Sequence, residues 1–312
     1  MKEKVNVAFV FPGQGSQYVG MGRALYDRFD LAKQVFMEAE EASGLPLREL
    51  CFSGPEAELK RTEHTQPAIL TVSIAALRVL EAEGWAQPLC VAGHSLGEYS
   101  ALVSVGALAF ADAVRIVRER GRLMQEAVPE GEGLMAVILG LNAADVQELC
   151  GQASEGEIVA PANFNGGGQI VISGTRSAVL RAMALARERG AKRVLDLPVS
   201  APFHCPLMRP AADGLRVALA LVEIRPFSVG VITNVEAALN RDNTRVKSLL
   251  VEQAVSPVRW EESVKRLELL GCARVVEIGP GKALSGLIKR IASNLEALHL
   301  ESPDDLEQIL KN

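Results

Sequence analysis

The stretch CVAGHSLGEYSALVS, residues 90–104, decides the fold class. Its apolar start is typical of a buried strand, and the run that follows Ser95 is typical of a helix. Between them, Gly93, Ser95 and Gly97 form the pattern G-x-S-x-G, which raises a serine out of the end of a sheet when it lies in a strand-to-helix turn. Backbone N–H groups at the start of the helix can stabilise a developing anion. Ser95 is therefore the candidate nucleophile, and the alternative is a chance match in an ordinary turn.

Strand-like and helix-like segments alternate outward from this turn. Residues 6–11 and 273–278 are short apolar strands, and residues 66–84 form an apolar-rich helix that Gly84 closes. Strands without a clean alternation of polar and apolar residues suit a parallel sheet that is covered on both faces. The sequence therefore predicts the α/β class, with a larger hydrolase-like subdomain built on a parallel sheet.

The middle of the chain has a different pattern. Two strands surround the turn sequence NGGG, and each is flanked by a further helix and strand, in the order βαββαβ. That order is the ferredoxin-like arrangement. We predict a small ferredoxin-like subdomain at 127–198, inserted into a larger catalytic subdomain formed by 1–126 and 199–312.

One of the four histidines is best placed to be the base that a serine nucleophile needs. His94 adjoins Ser95, and neighbouring residues in a tight turn point apart. His64 precedes a helix, and His299 lies near the acidic end of the chain. His204 lies in a proline-bracketed apolar loop at the predicted junction of the subdomains, where a cleft residue belongs. His204 is the favoured base, and a structural histidine is the alternative.

The acidic third member of a catalytic triad is not selected by spacing. Asp196, Asp213 and Glu277 are each possible partners of the histidine, and none of the three is favoured.

The helix-like segment 109–128 carries four arginines, and one of them has a different orientation. At about 100° per residue, Arg120 falls in the apolar stripe of the helix. The other three, Arg115, Arg118 and Arg122, project nearly opposite and form a solvated face. An inward guanidinium needs an anionic partner. That partner is either a buried carboxylate in a salt bridge or a substrate carboxylate held in a bidentate clamp.

A second loop, PGQGSQ at 12–17, follows the first strand directly. It has three possible roles: a phosphate cradle, a plain turn, or one half of a site completed elsewhere. The phosphate role fails on pattern, because Tyr18 stands where G-x-G-x-x-G requires a third glycine.

Composition excludes several classes of protein. A net charge of -5 gives no broad basic surface for nucleic acid. The five cysteines are scattered singly, which indicates neither a zinc site nor a disulfide framework and is typical of a reducing cytosol. No run approaches about 18 apolar residues, so neither a membrane span nor membrane association is expected. We expect a cytoplasmic protein.

Six motifs occur in one order along nearly the whole chain. Together they resemble the malonyl-CoA:acyl carrier protein transacylases and the acyltransferase domains of polyketide synthases. The motifs are FPGQGSQ (11–17), GHSLGEYSAL (93–102), RGRLMQ (120–125), FH (203–204), EQAVSPVRW (252–260) and GPGKALSGL (279–287).

The resemblance implies a role for each central residue. Ser95 corresponds to the nucleophile that takes the malonyl group as an ester, and His204 to its base and, in the return half-reaction, its acid. Arg120 corresponds to the arginine that pairs with the malonyl carboxylate. Gln253 matches a glutamine whose backbone carbonyl orients the histidine, in which case no acidic third member is needed.

The resemblance also implies a role for the second loop. The backbone N–H groups of Gln14 and Leu96 would together form the oxyanion hole. Gln66 and Asn163 match positions that line the cleft, although each also suits a capping or turn residue.

The implied reaction is a ping-pong transfer of malonyl from malonyl-CoA to the phosphopantetheine thiol of acyl carrier protein, with no metal or redox cofactor. A monomer is expected. The rivals are a serine esterase or thioesterase, which the inward Arg120 and the insertion argue against, and a non-catalytic carrier-binding module, which an intact Ser95 and His204 argue against. Phe203 resembles the residue before the histidine in malonyl-selective polyketide acyltransferases, whereas many stand-alone enzymes have serine there, so the choice between fatty acid and polyketide synthesis stays open.

Overall fold

The computed structural model describes residues 6–197, 199 and 201–311. Its strands are β1 (Val7–Phe11), β2 (Cys90–Gly93), β3 (Gly133–Leu139), β4 (Val159–Gly166), β5 (Gln169–Thr175), β6 (Arg193–Asp196), β7 (Gly230–Ile232), β8 (Leu239–Asn240), β9 (Arg274–Ile278) and β10 (Glu296–Leu300).

The helices surround two sheets, and a 3₁₀ turn at Pro206–Met208 precedes the tenth of them. They are α1 (Arg23–Arg28), α2 (Asp30–Ser43), α3 (Leu47–Phe52), α4 (Glu56–Leu59), α5 (Thr62–Ala82), α6 (Gly97–Ser104), α7 (Phe110–Glu126), α8 (Ala143–Ser154), α9 (Arg176–Glu188), α10 (Arg209–Ala220), α11 (Asn243–Val255), α12 (Trp260–Leu269), α13 (Ala283–Ile291) and α14 (Pro303–Lys311).

The larger sheet has the order β10-β9-β1-β2-β7-β8, and the four pairings from β10 to β7 are parallel. Side chains of β1 alternate between its two faces. Phe9 and Phe11 enter one apolar core, and Ala8 and Val10 enter a second core on the opposite face. Helices therefore cover both faces, which confirms the predicted α/β class and explains why the strands lack polar alternation.

The edge strand β8 departs from the expected parallel sheet, because it pairs antiparallel with β7. The residues between the two strands close a tight turn, in which the Ala237 N–H donates to the Thr233 carbonyl at 2.9 Å. A connection this short allows only a hairpin, since a parallel crossover needs a dozen or more residues.

The smaller sheet is antiparallel, with the order β4-β5-β3-β6. Its strands and the helices α8 and α9 follow the chain order βαββαβ. This is the ferredoxin-like topology that the sequence predicts. The exact limits of the subdomain, at 127 and 198, stay a prediction, and Pro198 lies outside the described residues.

Contacts that join the smaller sheet to the rest of the fold lie next to the strand-to-helix turn after β2. The Val258 N–H donates to the Ala162 carbonyl at 2.8 Å, and the Phe164 N–H donates to the Val258 carbonyl at 2.9 Å. His94 Nε2 lies 2.9 Å from Asn165 Oδ1 on β4. The small sheet therefore forms one wall of the cleft above Ser95. Among the described residues, no helix combines the length and apolar character that a bilayer crossing requires.

Candidate active site

The backbone at Ser95 is strained in the manner of a nucleophile elbow. Its φ is 52°, in the left-handed region that L-residues seldom adopt. The flanking glycines are required by close backbone approach: a Cβ on Gly93 would lie 1.9 Å from the Gly97 carbonyl carbon, and one on Gly97 would lie 2.0 Å from the Phe11 oxygen. The turn is thus wedged between β1 and α6, and Ser95 is held above the sheet.

Asn234, after β7, ties the elbow down. Its Oδ1 accepts the Ser95 N–H at 2.7 Å, and its Nδ2 donates to the Gly93 carbonyl at 2.6 Å. Both bonds hold the main chain on either side of His94. The side chain of a residue just after the neighbouring strand β7 therefore supplies the hydrogen bonds that offset the strain at the serine.

The serine and the favoured histidine lie within hydrogen-bonding distance. Ser95 Oγ is 2.8 Å from His204 Nε2, and His204 Nδ1 is 2.9 Å from the backbone oxygen of Gln253. A carbonyl oxygen only accepts, so Nδ1 carries the proton and Nε2 is free to accept the serine hydroxyl proton. The imidazole is in the tautomer that a general base requires.

Burial, followed by the nearby Arg120 charge, lowers the pKa of His204 to about 3. The ring is 4% exposed, so its protonated form would lie next to a guanidinium with little water to screen it. The His204 imidazole is therefore neutral across the physiological range.

None of the three carboxylates considered from spacing contacts the histidine. Asp196 and Asp213 are exposed on the surface. Glu277 is buried, but its two oxygens accept the backbone N–H groups of Leu284 and Ser285 at the start of α13. The Nδ1 proton goes instead to the Gln253 carbonyl, the arrangement that the resemblance implies.

Arg120 is 2% exposed and points into the cleft, as its helical phase predicts. Nη1 donates to Gln66 Oε1 at 2.9 Å, while Nη2 donates to Gln253 Oε1 at 2.9 Å and to Ser95 Oγ at 3.1 Å. These acceptors are neutral, and among the described residues the buried Nε has no partner. The guanidinium is thus held beside Ser95 by amides and a hydroxyl, and its Cζ lies 5.5 Å from the centre of the Tyr99 ring.

The outward arginines of α7 behave differently. Arg115 pairs with Asp112 at 2.9 Å, and Arg122 pairs with Glu119 at 2.6 Å on the outer face of the helix. Arg118 is also exposed and donates to the Ser43 carbonyl. The helical phase therefore separates one buried arginine from three surface ones.

The proposed oxyanion donors come from neighbouring strands. Gln14 follows β1 and Leu96 follows β2, and these strands pair in parallel, so both loops lie at the same carboxyl edge. Among the described residues, neither backbone N–H donates to a protein acceptor. Gly13 allows this approach, because a Cβ there would lie 2.3 Å from the His94 oxygen.

A small cavity of about 100 Å³ lies directly above the serine. A wider groove of about 920 Å³ shares Gln14, Leu197 and Val199 with it, so the chamber opens into the groove. This shape suits a compact acyl group delivered on a long carrier arm. The chamber is lined by Gln14, Gln66, His94, Ser95, Arg120, Met124, Met135, Asn163, Leu197, Val199, Phe203 and His204.

Gln66 and Asn163 both face this chamber. Gln66 is 1% exposed on α5, and its Oε1 accepts from Arg120, so it holds the guanidinium and does not cap its helix. Asn163 is 7% exposed on β4, beside the irregular pairing with β5 and the bridge to Val258.

Two buried residues of the site were missed by the sequence reasoning. Glu98 is 2% exposed on α6, and its Oε2 accepts the Gln253 Nε2–H at 2.8 Å and the Asn234 N–H at 3.0 Å. Burial raises the pKa of Glu98 to about 7. The available signal was the placement of Glu98 three residues after Ser95, on the first turn of a buried helix. Asn234 gave no comparable signal.

The elbow serine, the neutral histidine and the two free backbone N–H groups define an acyl-transferring serine enzyme, which a family comparison bears out. The model of the acyl transferase domain family matches residues 8–297. Two curated relatives are malonyl CoA-acyl carrier protein transacylases. The one from Escherichia coli K12 is 47% identical over 97% of this chain and 98% of its own length. The one from Bacillus subtilis strain 168 is 48% identical over 96% and 95%.

Solved structures agree with this assignment. An acyl carrier protein S-malonyltransferase from Vibrio cholerae superposes with a TM-score of 0.95 at 46% identity, covering 97% of this chain and 99% of the other. A malonyl-transacylase in complex with its type II polyketide acyl-carrier protein superposes with a TM-score of 0.96 at 45% identity, covering 98% and 99%. This chain belongs to the malonyl CoA-acyl carrier protein transacylase family.

Proposed function

We propose that this chain carries the malonyl group as an ester on Ser95 Oγ between its two substrates. As a member of its family, it moves malonyl groups from malonyl-CoA to acyl carrier protein. The observation that carries the proposal is the position of Ser95 Oγ, 2.8 Å from His204 Nε2 and 3.1 Å from Arg120 Nη2. One contact activates the oxygen, and the other lies where the free carboxylate of the acyl group would bind.

Both half-reactions use the same imidazole. His204 Nε2 takes the Oγ proton as Oγ bonds to the thioester carbon; the C–S bond then breaks, and the CoA sulfur receives that proton. In the second half-reaction, the carrier thiol gives its proton to Nε2 and its sulfur attacks the ester carbon. The C–Oγ bond breaks, and the serine recovers its proton.

The carbonyl oxygen becomes negative in both tetrahedral intermediates. The N–H groups of Gln14 and Leu96 act as its donors, which is supported by their shared sheet edge and their lack of protein acceptors among the described residues. Leu96 also lies at the start of α6, where the helix dipole favours a negative charge.

Arg120 selects the acyl group by clamping the free malonyl carboxylate. The guanidinium is oriented by Gln66 and Gln253 before substrate arrives, and a planar fork matches a carboxylate. Asn163 lines the same chamber. The proposed chemistry uses only side chains and backbone groups of this chain, without a metal or redox cofactor.

The proposed setting is the cytoplasm, as a monomer that meets its carrier protein in solution. The free, buried state of all five cysteines is compatible with a reducing compartment. The wide groove beside the chamber gives the phosphopantetheine arm its route to Ser95.

The decisive experiment follows a radiolabel from malonyl-CoA in the presence of holo acyl carrier protein. Transfer to the carrier, with intact-mass detection of a malonyl adduct on Ser95 when the carrier is omitted, is the expected result. Release of free malonate would instead identify a thioesterase. An unchanged donor would identify a non-catalytic binding module.

A further inference from the structure

A buried carboxyl group lies beneath the nucleophile without a salt bridge to explain it. Glu98 is 2% exposed, yet among the described residues no lysine, arginine or histidine lies within ion-pair distance of it. Its two hydrogen-bond donors are neutral N–H groups, those of Asn234 and the Gln253 side chain. Burying a carboxyl group is costly, and desolvation outweighs its two hydrogen bonds and the attraction of the Arg120 charge, so the pKa of Glu98 is raised.

Gln253 connects every part of the proposed machinery. Its backbone oxygen holds His204 Nδ1, and its Oε1 accepts from Arg120 Nη2. Its Nε2 donates to Glu98 Oε2 and, at 3.0 Å, to the Ser95 carbonyl. One residue therefore touches the base, the arginine and the backbone of the nucleophile.

The side-chain amide of Gln253 has a direction, and its neighbours fix it. If the amide were reversed, its oxygen would face two acceptors, Glu98 Oε2 and the Ser95 carbonyl, while its NH₂ group would face the Arg120 guanidinium. Both contacts would be repulsive. Glu98 is the side chain that makes the present direction obligatory.

We propose that Glu98 is a positioning residue for acyl transfer, acting through the Gln253 amide to fix the Arg120 guanidinium beside Ser95. The proposal rests on the roles assigned above to Ser95, His204 and Arg120. It places a carboxyl group on the far side of Gln253, the residue that contacts His204. Sequence spacing did not suggest this position.

In this proposal the position of the acceptor oxygen outweighs the charge, although the ionised Glu98 also attracts the Arg120 guanidinium. Both hydrogen bonds end on Oε2. A proton on Oε1 would leave both hydrogen bonds in place, so the neutral and the ionised forms of Glu98 hold the Gln253 amide in the same direction. A glutamine whose Oε1 takes the place of Oε2 would do the same.

Two variants separate position from charge. Glu98→Gln keeps the acceptor and loses the charge, whereas Glu98→Asp keeps the charge and withdraws the oxygen by one methylene. We expect kcat/KM for malonyl-CoA to stay within about fivefold of the parent in Glu98→Gln and to fall on the order of 30-fold in Glu98→Asp. Transfer from acetyl-CoA should fall less in Glu98→Asp, since that donor makes no use of Arg120. The reverse order of the two variants would overturn the proposal.

A double-mutant cycle tests the route through Gln253. Gln253→Ala removes the amide and leaves the backbone carbonyl that holds His204. If Glu98 acts through the amide, Glu98→Asp should cost less than about threefold in kcat/KM for malonyl-CoA once the amide is gone. Additive losses would show that Glu98 has an independent, structural effect and would refute the proposal.

Glu277→Gln and Glu277→Asp supply the matched control. Glu277 is equally buried and also accepts two N–H groups, but these belong to Leu284 and Ser285. Its variants should shift the melting temperature and leave the ratio of malonyl to acetyl transfer unchanged. Two further measurements test the site assignment separately from the role of Glu98. The absence of a malonyl adduct on Ser95 of the parent enzyme, or unchanged selectivity in Arg120→Ala, refutes the site assignment. Normal results there with an unchanged ratio in Glu98→Asp refute only the role of Glu98.

Discussion

Two strand-to-helix turns at one edge of the larger sheet differ in whether a buried carboxyl group accepts the first backbone N–H groups of the following helix. After β9, the buried Glu277 accepts the first-turn N–H groups of α13. After β2, the buried Glu98 faces away from the start of its own helix, and the Leu96 N–H has no protein acceptor among the described residues.

The difference shows how one local architecture serves stability or chemistry. A carboxylate that caps a helix satisfies its free N–H groups and closes the site to any other anion. At the serine turn the Glu98 carboxyl group accepts from the amide of Gln253 instead, and in our proposal the helix start stays available for a developing oxyanion. The predictions below test this distinction.

The largest effect should come from Ser95→Ala, which removes the hydroxyl group of the turn after β2 and leaves the turn after β9 unchanged. Loss of a nucleophile costs on the order of 10⁴-fold or more in transfer rate. Intact-mass spectrometry after mixing with malonyl-CoA should detect no adduct. The melting temperature should change little, because the alanine removes only a hydroxyl group. A malonyl adduct on this variant would assign the nucleophile to another residue.

Arg120→Ala should alter selectivity as well as activity. Loss of one partner of a charge-assisted bidentate pair in a closed cleft corresponds to about 2–5 kcal/mol. That is roughly a 30- to several-thousand-fold loss in kcat/KM for malonyl-CoA. Acetyl-CoA has no carboxylate, so its transfer should hold steady or improve. Steady-state kinetics with both donors, together with the melting temperature, test this.

A parallel loss for both donors with a large fall in melting temperature would contradict the clamp. It would mean that the buried guanidinium is a structural element. Arg115→Ala is the matched control, because Arg115 lies on the outer face of the same helix and pairs with Asp112. It should change neither kinetic constant.

Glu277→Ala should have the opposite profile. Two buried N–H groups at the start of α13 would lose their acceptor, which lowers the free energy of unfolding by roughly 1–3 kcal/mol. The ratio of malonyl to acetyl transfer should stay that of the parent. Chemical denaturation and the two-donor assay provide the measurements. A change of selectivity would show that the two turns are coupled.

Sequence reasoning reached the parts of the site that periodicity and local motifs encode. The elbow pattern selected Ser95 as the candidate nucleophile, the helical phase predicted the inward orientation of Arg120, and the position at a subdomain junction favoured His204 as the base. Residue patterns also gave the sheet class and the βαββαβ order. The β7–β8 hairpin was missed, because the direction of a two-residue edge strand depends on a short connection that carries no apolar pattern of its own.

The remaining parts depend on contacts between distant residues. Glu98 meets Asn234 across 136 residues of sequence and Gln253 across 155, and neither distance leaves a local pattern. Gln253 was reached only through the family resemblance, since its key group is a backbone carbonyl, which every residue carries. Spacing offered three acids for the histidine, and it could not show that Glu277 caps a helix.

Carrier recognition should be a smaller effect and concerns exposed basic residues outside the chamber. The acyl carrier proteins that the family uses are expected to be acidic, and this chain has a net charge of -5, so docking needs a local basic patch. Two exposed pairs, Lys192 with Arg193 and Lys289 with Arg290, flank one turn. Lys192 packs at Gly140 and Arg290 at Gly167, next to the β4–β5 hairpin.

The two pairs are alternative candidates for this patch. Charge reversal of the pair that contacts the carrier should raise KM for the carrier several-fold and leave KM for malonyl-CoA unchanged. The effect should weaken at high salt, because exposed charges are screened. The malonyl-CoA constant is the internal control. Equal effects on both substrates would indicate damage to the site, and no effect on either would exclude that pair as the docking patch.

The smallest change should appear in the pH dependence of the acylation rate, because the buried His204 imidazole resists protonation more than an exposed one does. Burial and the Arg120 charge lower the pKa of His204 to about 3. A histidine with an ordinary pKa of about 6.5 would lose roughly 25-fold of its neutral form between pH 7 and pH 5. His204 should lose almost none, so single-turnover acylation should vary less than about threefold over that interval.

The free energy of unfolding should show the matching change. Below about pH 6.5 this histidine binds a proton in the unfolded chain but not in the folded chain. The group therefore lowers the free energy of unfolding as the pH falls toward 3. An acid limb of acylation near pH 6.5 in a fully folded enzyme would mean that water reaches the imidazole, and the closed site inferred around Ser95 would then be wrong.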